Sequence, residues 1–182
     1  MFKLFIPKYH VKSIYTIDYK ALYDKGIRLI FLDLDNTLIT YSEKMPTEKL
    51  FSWKEKLTEM GFTLMIVSNS HKNRVLNFSN EFKIDCIQFA KKPLKSGFKR
   101  AMEFQGNKFK PQEICEIGDQ VMTDVLGANR MHFTSILVDP IDRSTELLVT
   151  RINRIYEAVF KALVKLFHPK LYKASFKEYK GE

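Results

Sequence analysis

Apolar and polar residues are grouped in blocks along the middle of the chain. "IRLIFLDLD" (27–35) is a nearly continuous apolar run, the pattern of a strand covered on both faces. "PTEKLFSWKEKLTEMG" (46–61) has helical spacing; Pro46 precedes it, Thr47 can cap its start, and Gly61 stands where a helix end favours positive φ. The alternation then repeats. Strands are predicted at "FTLMIVSNS" (62–70), "CIQFA" (86–90), "EICEIGD" (113–119) and "SILVDP" (135–140). Helices are predicted at 71–82, 94–105 and 121–130, and a long one from about Arg143 to Phe167.

Strands alternating with helices predict an α/β fold. The expectation is a Rossmann-like doubly wound parallel sheet of about five strands, joined by right-handed crossovers. The chain has 182 residues, which predicts one domain over 1–182. No internal repeat or low-complexity segment interrupts it.

One feature breaks the pattern. Asp33 and Asp35 sit at the end of the most strand-like segment, where carboxylates are costly to bury and are depleted. In open α/β sheets, ligands bind beyond the carboxyl ends of the strands. Applied here, that rule gathers Asp33, Asp35, Asn36 and Thr37 from the first strand and Ser68, Asn69 and Ser70 from the second. Lys91, Lys92 and Pro93 follow the third; Gly118 and Asp119 end the fourth, with Asp124 five residues on. Residues i and i+2 of an extended segment point the same way, so Asp33 and Asp35 can face one small volume. Two like charges so close require a cation between them or a proton on one. Oxygen-only ligands favour a hard cation, Mg²⁺ beside a phosphate. Ser68 and Lys92 offer an O–H donor and a positive charge, which an anion requires.

"DLDNTL", "VSNS", "KKP" and "GDQVMTD" together resemble the four ordered motifs of the haloacid dehalogenase (HAD) superfamily of phosphotransferases, across about residues 27–140. The wider arrangement resembles subclass IIIA and its YqeG-like branch, related to mitochondrial phosphatidylglycerophosphate phosphatases. It includes the N-terminal "IPKYHVKSIYTIDYKALYDKGIRLIFLDLDNTL" and the lysine directly before proline. The resemblance implies a Mg²⁺-dependent phosphomonoesterase working through an aspartyl-phosphate. Asp33 would be the nucleophile and Asp35 the general acid–base. Ser68, Asn69, Lys92 and Thr37 would hold the phosphoryl oxygens. Asp33, the Asp35 carbonyl, Asp119 and Asp124 would ligate Mg²⁺. The gaps between Thr37 and Phe62 and between Ser70 and Lys91 are too short for a cap domain. An open site suits a bulky phosphorylated substrate, such as a phospholipid phosphate at a bilayer. A second reading is a phosphate-binding module that docks RNA, ribosome or membrane with little turnover.

Charge sharpens the choice of partner. The net charge is +9, and it is concentrated at the ends. Residues 1–28 hold six Lys/Arg against two Asp/Glu, residues 141–182 hold nine against five, and the body between them is nearly neutral. The basic N-terminal segment (about 1–26) and the basic C-terminal helix and tail (about 143–182) therefore point to an anionic surface, membrane ahead of RNA. In "LLVTRINRIYEAVFKALVKLFHPK" apolar residues form a helical stripe with basic residues off it. Such a helix either packs its stripe on the sheet or lies on a membrane. No apolar run reaches the ~18 residues of a span, and no signal peptide is apparent, so the expected location is cytoplasmic, with a peripheral position at the inner membrane face. The two cysteines, Cys86 and Cys115, and the four scattered histidines suggest neither a disulfide framework nor a zinc site. His71 is a candidate for the pocket wall, and Trp53 is expected to pack or to contact substrate rather than to stack on a base.

Overall fold

The computed structural model describes residues 2–176. Its centre is a six-stranded sheet in which every neighbouring pair is parallel. The strands are β1 (Tyr9–Val11), β2 (Leu29–Leu32), β3 (Thr63–Val67), β4 (Asp85–Ile87), β5 (Ile114–Gly118) and β6 (Thr134–Val138), in the order β1-β6-β5-β2-β3-β4. The helices are α1 (Tyr19–Asp24), α2 (Glu48–Glu59), α3 (Lys72–Phe82), α4 (Lys95–Phe104), α5 (Leu126–Arg130), α6 (Leu148–Phe167) and α7 (Pro169–Phe176).

The sheet has one strand more than the pattern predicts. β1 is three residues long and pairs only with β6, so its sequence carries almost no periodic signal. The predicted helix over 121–130 divides into a π-helical turn, Val121–Val125, followed by α5. The predicted long C-terminal helix begins five residues later than expected, at Leu148, and breaks at His168 before α7.

Burial explains the continuous apolar runs. Along β2, Ile30 and Leu32 join a core beneath α2 and α3, with Leu50, Leu57, Phe78 and Phe82. Leu29 and Phe31 point to the other face, where Phe98, Ala101, Ala128 and Phe133 pack. The alternation has period two, and both phases are buried. Trp53 belongs to the first core and donates its indole N–H to the Tyr19 hydroxyl at 3.2 Å. Cys86 and Cys115 are free thiols. A third apolar cluster gathers Val121, Val125, Leu137, Val164 and Phe176 with Phe2, Phe5 and Phe160. It brings the first and last described segments together.

The strand order reverses between β2 and β5, so their carboxyl ends flank the switch point where α/β sheets bind ligands. The β2–β3 crossover contains a loop and α2, and the β3–β4 crossover contains α3. Neither holds an inserted domain.

Gly97, in the first turn of α4, lets the helix press on the chain leaving β4. A Cβ there would lie 2.2 Å from the Ala90 carbonyl oxygen. Gly97→Ala is expected to cost about 1–3 kcal/mol as an overpacking substitution, read as a lower thermal midpoint. An unchanged midpoint would show that α4 does not pack this tightly.

Candidate active site

The chain turns off the sheet immediately after β2. Asp33 still donates its backbone N–H to the Ile117 carbonyl, at 2.9 Å. Asn36 takes the turn with φ of 61°, a left-handed conformation that asparagine tolerates better than most residues. Its side-chain oxygen accepts from the Asp142 N–H at 3.2 Å, and its amide donates to Glu146 at 3.3 Å. The turn that carries Asp33 and Asp35 is thereby tied to the segment after β6.

Lys92, at the exit of β4, reaches into the switch point and is almost completely buried. Its Nζ lies 2.8 Å from Asp33 Oδ1, 3.0 Å from Glu116 Oε1 and 2.7 Å from Asp124 Oδ1. Lys91 and Lys95 are exposed, so the lysine adjoining the proline is the one that enters the site. The Asn69 side chain fixes the Lys92 backbone from both sides, accepting from its N–H at 2.7 Å and donating to its carbonyl at 3.0 Å. Gly118 ends β5 where a Cβ would collide with the Asp124 carboxyl at 2.3 Å. Only glycine lets Asp124 fold back onto the strand end.

Asp119 pairs with Arg154 of α6, which also donates to the Asp119 carbonyl at 2.6 Å. Arg154 contacts Glu146 at 2.9 Å and Glu157 at 3.3 Å as well. Asp35 faces away from Lys92. It accepts from Ser70 Oγ and, at 2.7 Å, from Arg74 Nε of α3. Arg74 also donates to the Thr40 and Glu43 carbonyls, fixing the loop after the first motif. The two aspartates therefore face a common pocket with separate cationic partners. That pocket is lined by Asp33, Asp35, Ser68, Asn69, Ser70 and Lys92, with Tyr41, Gln120 and Thr123 at its rim. Ser68 is buried, and its hydroxyl accepts from the Ser70 N–H at 3.1 Å. Thr37 is buried beside the turn with its hydroxyl unpartnered. Beside the pocket, and sharing Tyr41 and Ser70 with it, is a cavity of about 390 Å³ lined also by His71, Arg74, Thr145 and Leu147.

Burial dominates the electrostatics. It raises the Asp33 carboxyl to about 7; Lys92 opposes the shift, while Asp124 and Asp35 add to it. Glu116 rises to about 8 for the same leading reason. Asp119 is raised by burial against the pull of Arg154. Burial alone would lower the Lys92 ammonium, but Asp124, Asp33 and Glu116 outweigh it and raise it. The pocket contains more negative charge than its cations balance.

Asp33, Asp119 and Asp124 each offer a carboxylate oxygen within 4.8 Å of the other two. Asp119 Oδ1 is buried with no hydrogen-bond partner. An all-oxygen donor set with one oxygen left over fits a hard divalent cation, Mg²⁺ in particular.

Four contributors escaped the sequence reading. Glu116 gave the same signal as Asp33, an acid inside an apolar run. Arg74 lies in the helix over 71–82, where only His71 is a candidate for the pocket. Glu157 and Arg154 occupy the polar side of a helix whose apolar side drew the attention.

A family model described as mitochondrial PGP phosphatase matches residues 2–142. The chain is 37% identical over 167 residues to "Probable phosphatase YqeG" of Bacillus subtilis, covering 91% of this chain and 95% of that protein. It is 25% identical to the chloroplastic/mitochondrial phosphatidylglycerophosphate phosphatase 1 of Arabidopsis thaliana, covering 86% of this chain but only 47% of that longer protein. Among solved structures, the cobalt-bound deoxy-D-mannose-octulosonate 8-phosphate phosphatase of Haemophilus influenzae superposes with a TM-score of 0.51 at 9% identity, over 81% of this chain and 97% of that one. The Moraxella catarrhalis 3-deoxy-D-manno-octulosonate 8-phosphate phosphatase, solved with magnesium, phosphate and KDO, gives 0.50 at 18% identity, over 82% of this chain and 99% of that one. These structures share the fold.

A carboxyl whose pKa is raised on folding stabilises the folded state below its unfolded pKa, and that contribution is lost as pH rises through the folded value. For Asp33 the loss runs from its ordinary value of 3.8 to about 7. Metal-free protein should therefore lose thermal stability from about pH 4 to about pH 7, and Asp33→Asn should flatten the decline. Parallel declines in both proteins would contradict the charge balance described for the pocket.

Proposed function

The chain belongs to the mitochondrial PGP phosphatase family of HAD-type phosphatases, and from that premise we propose that it is a Mg²⁺-dependent phosphomonoesterase acting through an aspartyl-phosphate on a phospholipid phosphate. The observation that carries the reading is the convergence of Asp33, Lys92, Ser68, Asp119 and Asp124 at the sheet's switch point.

Each side chain then has a task. An Asp33 oxygen attacks phosphorus as the ester P–O bond breaks, leaving the phosphoryl group on the carboxylate. Asp35, held by Ser70 and Arg74, gives its proton to the departing alkoxide. It then takes a proton from the water that attacks the aspartyl-phosphate. The Ser68 hydroxyl and the Lys92 ammonium hold the phosphoryl oxygens, and the Asn69 amide keeps Lys92 in place. Asp33, Asp119, Asp124 and the Asp35 carbonyl would hold Mg²⁺, which when bound supplies charge neutralisation for the phosphoryl group. The alcohol part of the substrate extends into the cavity between Tyr41, Arg74 and Leu147. With no cap inserted in the crossovers, that cavity is open to a substrate still seated in a bilayer. The family and the Arabidopsis relative's own substrate support phosphatidylglycerophosphate as the first compound to try.

Asp33→Asn should reduce turnover of every phosphomonoester to background, because an amide is a poor nucleophile. Near-normal phosphate release by that variant would reject the mechanism. Asp35→Asn should slow alkyl phosphates by about 10²–10⁴-fold, the usual worth of a general acid, and aryl phosphates such as p-nitrophenyl phosphate much less. Equal slowing for both esters would reduce Asp35 to a structural role.

A further inference from the structure

Amphipathic helices on a globular protein normally turn their apolar stripe inward. α6 does the opposite. The side chains along the inner face of its first ten residues are polar: Tyr41 meets Thr150 at 2.9 Å, Gln120 meets Asn153 at 3.3 Å, Asp119 pairs with Arg154, and the Val121 N–H donates to Glu157 at 2.6 Å. Phe160 and Val164 turn inward to the third apolar cluster, but most of its apolar side chains are left in solvent. Leu148, Ile155, Val159, Leu163 and Leu166 form one stripe along all twenty residues, with Leu148 and Leu166 each more than 70% exposed. At about 1.5 Å per residue the stripe runs roughly 30 Å. Exposed continuous apolar surface on this scale marks a contact surface.

Charge selects the occupant. Arg151 and Lys165 lie exposed along one edge of the stripe, and Lys170 and Lys173 continue the positive rim on α7. Between residues 147 and 176 the only acidic residue is Glu157, which is buried beneath the helix. The N-terminal turn, whose Phe2 packs on Phe160 at 5.4 Å and on His168 at 5.3 Å, contributes a further exposed cation, Lys3. A second copy of the chain would set these cations against one another. An anionic lipid surface pairs with them and takes up the apolar stripe.

We infer that the outward face of α6, with its basic rim, is a docking surface for an anionic lipid bilayer. α6 lies in the interface plane; among the described residues no helix is long and apolar enough to cross a membrane. Leu147, at the leading end of the stripe, also lines the cavity beside the catalytic pocket, so docking sets the mouth of the site at the lipid surface. This deepens the proposed function and rests on it only for the identity of the substrate.

The experiment is sedimentation of the full chain with vesicles of phosphatidylcholine alone or mixed with phosphatidylglycerol, neither containing a phosphomonoester. Wild type is expected to bind the anionic vesicles and not the neutral ones. The double variant Ile155→Glu/Leu163→Glu should bind about tenfold or more weakly, while its hydrolysis of p-nitrophenyl phosphate stays at the wild-type rate and reports an intact fold. Failure of wild type to bind anionic vesicles overturns the inference, as does unchanged binding by the variant. A wild-type dimer that the variant converts to monomer, without vesicle binding, overturns it in favour of a second copy. Vesicle binding by a wild type that hydrolyses no phosphomonoester would instead overturn the proposed function and leave the docking surface standing.

Discussion

Seven carboxylates are buried at one end of this sheet, and the structure depends on how their charge is balanced. Desolvating an ion is expensive unless it is paired. Lys92 serves Asp33, Glu116 and Asp124; Arg154 serves Asp119, Glu146 and Glu157; Arg74 serves Asp35. Three cations facing seven acids leave a deficit. The raised pKa values of Asp33 and Glu116 are one expression of it, and the unpartnered oxygen of Asp119 is another. A hard divalent cation would satisfy both.

The same balance ties distant elements together. Arg154 belongs to α6, yet its partner is the loop after β5. Arg74 belongs to α3, yet it holds the loop after β2. Asn36 joins the first motif to the segment that leads into α6. The segment leading into α6 borders the cavity beside the pocket, and Arg154 anchors the helix to the loop after β5 by polar contacts. That anchoring is why the apolar stripe of α6 faces outward.

Much of this was legible in the sequence. The continuous apolar runs marked the buried strands, and the two aspartates ending one of them marked the switch point, because nothing but a site explains such a placement. The choice of Lys92 over Lys91 and Lys95 rested on the proline beside it, and only Lys92 enters the pocket. β1 was illegible because three residues on an edge have no periodicity. The orientation of α6 was illegible for a deeper reason: a helical stripe shows that a face is apolar, not which way the face turns. The polar residues that decide it, Thr150, Arg154 and Glu157, have meaning only once their partners across the fold are known.

The central claim is that Asp33 carries the phosphoryl group during turnover. Acid quenching of the enzyme while it hydrolyses a phosphomonoester in the presence of Mg²⁺, followed by mass spectrometry of its peptides, tests this directly. A phosphoryl group on the peptide containing Asp33, absent when substrate is withheld, is the predicted result. Sustained turnover with that peptide unmodified at every quench time, or with the phosphoryl group on another residue, would contradict it.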